Sequence, residues 1–216
     1  QFMSQQDMIW EKLPEYWYDS AFLGNGKLGL MIYKEPGKNY LRLETGNCDV
    51  HDHRTKRDVF GIPRLLTGHF DLHPKGKIIN GTIHLDLWNA EASTDITTTK
   101  GVIHLRSFVH ADEMMIIVKA TTEGDEHDFQ WEWIAAEANS PRYLIFKRQG
   151  KANKIPKDYE LNPTAKISNG KEINLSVQKL LAGGETSVGW QETYNPETER
   201  NLWINLTHTY PQNNSS

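Results

Sequence analysis

The sequence predicts an all-β sandwich, and three observations predict it. Between residues 92 and 136, turn residues recur at the eight-to-twelve-residue spacing of antiparallel strands: Lys100-Gly101, Ala111-Asp112-Glu113 and Glu123-Gly124-Asp125. The segments between them alternate, most clearly at 102–110, where Ile103, Leu105, Ser107 and Val109 oppose His104, Arg106, Phe108 and His110. No stretch of ten or more residues carries the apolar spacing of an amphipathic helix.

Along the chain, Gly24-Asn25-Gly26 is a hairpin-type turn, since Asn and Gly accept positive φ. A strand Leu28–Tyr33 follows. After the turn at Pro36-Gly37-Lys38-Asn39 comes the alternating strand Tyr40–Glu44, broken by Thr45-Gly46-Asn47. Residues 49–59 are a polar loop. Strands are predicted at Gly68–His73 and at Lys77–Trp88, where Ile79, Ile83, Leu85 and Leu87 share a face and Asn80-Gly81 marks a bulge. A four-strand meander occupies 94–99, 102–110, 114–120 and 129–134. The apolar run Met114–Ala120 suits a central strand. Residues 139–165, with three prolines, form a long excursion holding one short strand at Tyr143–Phe146. Strands at Ile173–Val177, Ser187–Thr193 and Leu202–His208 close the fold. This gives an N-terminal extension over 1–20, one sandwich domain over 21–210, and a polar linker beginning at 211–216.

The 216 residues suffice for one large β domain, and seven Trp supply core volume. A net charge of −4 without a Lys/Arg block argues against a nucleic-acid partner. No apolar run reaches the length of a membrane span. The single cysteine, Cys48, excludes an internal disulfide. A first residue of Gln rather than Met reads as a processed N-terminus, and a periplasmic or extracellular location is the expectation.

The segment Phe22-Leu-Gly-Asn-Gly-Lys-Leu-Gly-Leu-Met-Ile-Tyr33 resembles a pattern near the start of glycoside hydrolase family 95 proteins, the α-L-fucosidase-like family. Tyr40–Asn47, Leu85–Ala92 and Val102–Ala120 are similar to later family segments in the same order. Glu44-Thr-Gly-Asn-Cys-Asp49 departs from the family's Asn-Glu-Asp-Thr-Leu-Trp loop. The resemblance implies a galactose-mutarotase-like β-supersandwich of two large, mostly antiparallel sheets. It also implies a non-catalytic role, packed against a C-terminal (α/α)6 barrel that holds the catalytic carboxylates.

By that analogy the loop from Glu44 to Arg54, with Asn47, Asp49, His51, Asp52 and His53, is the candidate for shaping the rim of a sugar site. Two other functions remain open. A stand-alone carbohydrate-binding module would stack sugar on exposed rings, with Trp17 and Trp190 the candidates. A small metal-dependent hydrolase or lyase would use the His51/Asp52/His53 cluster; alternation puts Asp49, His51 and His53 on one face that could bind a metal, with His69 and His73 as candidate extra ligands. No pair of carboxylates sits in a motif that fixes its partner, so no catalytic residue, metal ligand or cofactor is assigned to this chain.

Overall fold

A computed structural model describes residues 2–52, 54, 63–195 and 199–210. The expectations for His53 and for a linker at 211–216 lie outside these residues. Among the described residues, fourteen strands form two antiparallel sheets. They are β1 (Met8–Trp10), β2 (Ala21–Gly24), β3 (Leu28–Tyr33), β4 (Leu41–Asn47), β5 (Gly68–His73), β6 (Ile78–Asp86), β7 (Glu91–Thr98), β8 (Gly101–Val109), β9 (Met115–Gly124), β10 (Gln130–Ala135), β11 (Lys166–Asn169), β12 (Asn174–Lys179), β13 (Glu185–Asn195) and β14 (Glu199–Thr209). The nine-stranded sheet runs β1-β6-β7-β8-β9-β14-β13-β12-β11, and the five-stranded sheet runs β10-β5-β4-β3-β2. The fold is the two-sheet, all-β sandwich that the alternation predicts.

The inner faces meet over one core. Leu30, Ile32, Leu41, Leu43, Phe70 and Leu72 come from the smaller sheet, and Ile96, Ile103, Leu105, Val118, Ile204 and Leu206 from the larger. Period-two alternation puts these side chains on one side of each sheet. Within residues 1–20, β1 pairs with β6 at the sheet edge, and Leu13 joins the core.

The Gly24–Gly26 turn forms as expected. The Asn25 side-chain oxygen accepts from the amides of Lys27 and Leu28, and Gly26 sits at φ 90°. This turn and the β3–β4 pairing set Leu28 opposite Asn47. The ladder therefore carries β4 through Thr45-Gly46-Asn47, where the sequence suggested a break.

Four other expectations are corrected. The register shift between Ile78 and Asn80 is the expected bulge, but it turns Ile79 out to solvent and Ile78 inward. Leu87 lies past the strand end and is exposed. Gly81 follows the bulge because a Cβ there would stand 2.5 Å from the Asp95 carbonyl and 2.8 Å from Leu13. Only β7, β8 and β9 make the meander, since β10 crosses to pair with β5. Tyr143–Phe146 belongs to α1 (Pro141–Arg148), in which Pro141 opens the helix with its φ already set.

Candidate functional site

The outer face of the smaller sheet carries a row of polar side chains. Register places Tyr33, Arg42, Asp71 and Glu132 across β3, β4, β5 and β10, with Met31, Glu44, His69 and Ile134 one row along. The first row is tied together at its centre. Arg42 donates to both Asp71 oxygens at 2.9 and 3.0 Å, to Glu35 at 2.5 Å and to the Tyr40 hydroxyl at 3.0 Å. Tyr40 in turn donates to Glu35 at 2.5 Å, and Tyr33 donates to Glu44 at 2.6 Å. His73 meets Glu132 at 3.0 Å.

Although it lies on the sheet's outside, this network is largely shielded. The side chains of Arg42 and Asp71 keep only 13% and 4% of their exposure. Burial works against the Arg42 charge, but Asp71 and Glu35 outweigh it and hold the guanidinium above its ordinary range. Burial, then the Glu44 carboxylate, pushes the Tyr33 hydroxyl up; burial and Glu35 do the same to Tyr40. Both phenols stay protonated at neutral pH.

His69 behaves in the opposite sense. Burial and the Arg42 charge lower its pKa, against Asp71, Glu44 and Glu35, which raise it. As pH falls through about 6.5, the unfolded chain takes up a proton that the folded chain refuses. The stability conferred by neutral His69 is thus present above that pH and lost below it. His69→Gln is expected to flatten the fall in urea midpoint between about pH 7.5 and pH 5. An unchanged slope would remove His69 from this account.

The Glu44–Arg54 candidates fall into separate environments. Glu44 faces outward beside Tyr33, whereas Asn47 is buried and ends β4 by accepting from the Asp49 amide at 2.8 Å. Asp49 lies at the surface, 4.0 Å from Lys27, and a hydrogen bond from Tyr210 lowers its pKa. His51 forms a backbone bridge with Arg64. Val50 and Leu65 on either side join Ala138 and Leu180 in a small second core.

Asp52 and Arg54 are a correction to the rim expectation. Asp52 is fully buried and meets Arg54 at 2.6 Å. Arg54 also donates to the Glu160 carbonyl at 2.7 Å and lies 4.9 Å from the centre of the Tyr159 ring. Burial pushes the Asp52 carboxyl up against the pull of Arg54. The pair fastens the 139–165 excursion to the sandwich end.

Trp190 is a second correction. It belongs to β13 on the inward parity, 5.6 Å from Phe70 and 5.9 Å from Trp133 by ring centres. It is therefore a core ring. Trp17 is 62% exposed and lines a shallow hollow of about 520 Å³ with Ile9, Tyr18, Phe22 and Met31. Among the described residues, no group of three or more His, Cys, Asp or Glu could hold a metal. His69 and His73 face Asp71 and Glu132 on the outer face.

Sequence reasoning passed over Arg42, Asp71, Glu35 and Tyr33. Arg42 and Glu44 did alternate with Leu41 and Leu43, and Asp71 stood between Phe70 and Leu72, so the outward row was present in the pattern. The pairing between rows, which makes it a network, depends on register.

No family profile and no curated protein matches the chain. Solved structures do. One is a human-microbiome protein provisionally named a kojibiose phosphorylase, with a TM-score of 0.52 and 10% identity. The match covers 89% of this chain but 27% of that one. At this identity the likeness establishes the shared sandwich fold and does not single out family 95.

Proposed function

We propose that this chain is a non-catalytic β-sandwich domain of a larger carbohydrate-active enzyme. The carrying observation is the lopsided match, nearly all of this chain against about a quarter of a protein named as a sugar phosphorylase. The Gly24–Gly26 turn with its following strand, and the segments after it, support the narrower reading of a family-95-like hydrolase with an (α/α)6 catalytic barrel. Its substrate would be a glycoside of the α-L-fucoside type, and its location outside the cytoplasm.

The shielded outer network suits a docking role. Arg42, Asp71, Glu35 and Tyr40 already satisfy one another, so covering them costs less desolvation than covering free charges. Beside them, Trp17, Tyr18 and Phe22 offer apolar area at 62%, 63% and 59% exposure. Of the loop candidates among the described residues, Glu44, Asp49 and His51 keep partial exposure toward a neighbouring domain.

The 216-residue chain alone is expected to turn over no glycoside, by hydrolysis or by phosphorolysis. Turnover that survives rigorous purification of the chain would overturn the proposal.

A further inference from the structure

The two sheets differ in length as well as in strand number. Strands β13 and β14 have eleven residues each, whereas β5 and β10 have six. At about 3.3 Å per residue, the longer pair exceeds the shorter by about 16 Å in length. The inward row of β14, Leu206-Ile204-Leu202, continues to Arg200, and that of β13, Val188-Trp190, continues to Glu192 and Tyr194. The core face thus runs out from under the smaller sheet. There the Phe129–Gln130 segment entering β10 closes a hollow of about 380 Å³.

The hollow is built around one aromatic ring. Tyr194 is 60% exposed, yet it is held in place. Its hydroxyl donates to Glu192 at 2.8 Å, and the Arg200 guanidinium lies 5.1 Å from its ring centre. Arg200 is fixed in turn. It lies 4.1 Å from the Phe129 ring centre, pairs with Glu192 at 3.2 Å, and donates to the His127 and Phe129 carbonyls. An exposed ring ordinarily loses rotamer freedom when it meets a ligand; this one has lost it on folding. Asp128, Glu199 and Gln130 also line the hollow: one Asp128 oxygen meets Lys75 at 3.3 Å, one Glu199 oxygen accepts from Asn201 at 3.0 Å, and the Gln130 amide donates to the Asp128 carbonyl at 3.1 Å.

We propose that this hollow binds one neutral pyranose unit. The Tyr194 ring takes the C–H face of the sugar, and Asp128, Glu199 and Gln130 take its hydroxyls. The volume falls within the range of small-molecule sites. Two carboxylates in the wall select against uronic and sialic acids. Arg200 is a positioning residue: its two terminal nitrogens are held by the His127 and Phe129 carbonyls and by Glu192, and its Nε is buried. The ligand class rests on the carbohydrate reading above; the hollow and its locked ring do not.

The test is a titration of the 216-residue chain with methyl α-D-glucopyranoside, kojibiose and methyl α-L-fucopyranoside, followed by amide NMR shifts. At least one sugar is expected to give saturable shifts at Phe129, Gln130, Tyr194 and Arg200. Tyr194→Ala should weaken that binding by about tenfold, and Tyr194→Phe by less than about threefold. Asp128→Ala is a second variant, at an exposed position that does not threaten folding, and about a fivefold loss is expected. The inference fails if none of the three sugars shifts these amides. It fails equally if the shifts map elsewhere, or if Tyr194→Ala binds like the parent. Such a failure leaves the accessory-domain reading standing, since that reading is tested by turnover.

Discussion

Glu126→Gln is expected to lower unfolding stability by roughly 3 kcal/mol, although the side chain keeps its size. Glu126 is fully buried at the crossing from β9 to β10, where the chain leaves one sheet for the other. One carboxylate oxygen accepts from the Gly76 amide at 2.8 Å and from the Thr98 hydroxyl, and the other accepts from the Lys75 amide at 2.9 Å. Lys75 and Gly76 form the β5–β6 turn, another crossing between the sheets, and Thr98 ends β7. A single carboxylate therefore ties three chain reversals at one end of the sandwich. An amide has only one acceptor oxygen, so its NH2 would face a buried N–H. Gly76 is part of the same device, since a Cβ there would stand 2.6 Å from the Glu126 oxygen. Urea unfolding of the variant checks this, and a loss under about 0.5 kcal/mol would contradict the account.

Trp190→Ala is expected to cost about 3–5 kcal/mol through the cavity it opens between Phe70 and Trp133. The same substitution would act very differently on a surface ring. An exposed Trp190 would lose sugar affinity at unchanged stability. The core placement predicts lost stability, with sugar affinity unchanged in whatever fraction stays folded. Unfolding midpoint and sugar titration on one sample separate the two.

Much of the fold was legible because strand alternation is a local signal. Leu28–Tyr33 and Gly68–His73 are bounded by turn residues and match β3 and β5 end to end. What was illegible depends on partners distant in sequence. The alternating run before Ala136 reads as one more hairpin strand, and only the Glu126 anchor shows why β10 joins β5 instead. Tyr143–Phe146 has the composition of a strand, but Pro141 and the absence of a pairing partner make it a helix turn.

The site was less legible than the fold. The polar run after Asn47 looks like one functional loop, yet Asp52 and Arg54 turn inward to hold the 139–165 excursion. Arg42 and Asp71 are 29 positions apart and become a pair through the β4–β5 register alone. Tyr194 and Arg200 face each other for the same reason, across the β13–β14 ladder. Trp190 shows the converse: its parity with Val188 in the predicted strand Ser187–Thr193 already argued for the core.

The central claim is that this sandwich belongs to a carbohydrate-active enzyme whose chemistry lies in another domain. The most direct measurement is turnover of a glycoside panel by the natural polypeptide that contains this chain, set beside the 216-residue chain alone. The account predicts hydrolysis or phosphorolysis by the former and none by the latter. Activity confined to the 216 residues, or a natural polypeptide inert on every glycoside with and without phosphate, would contradict it.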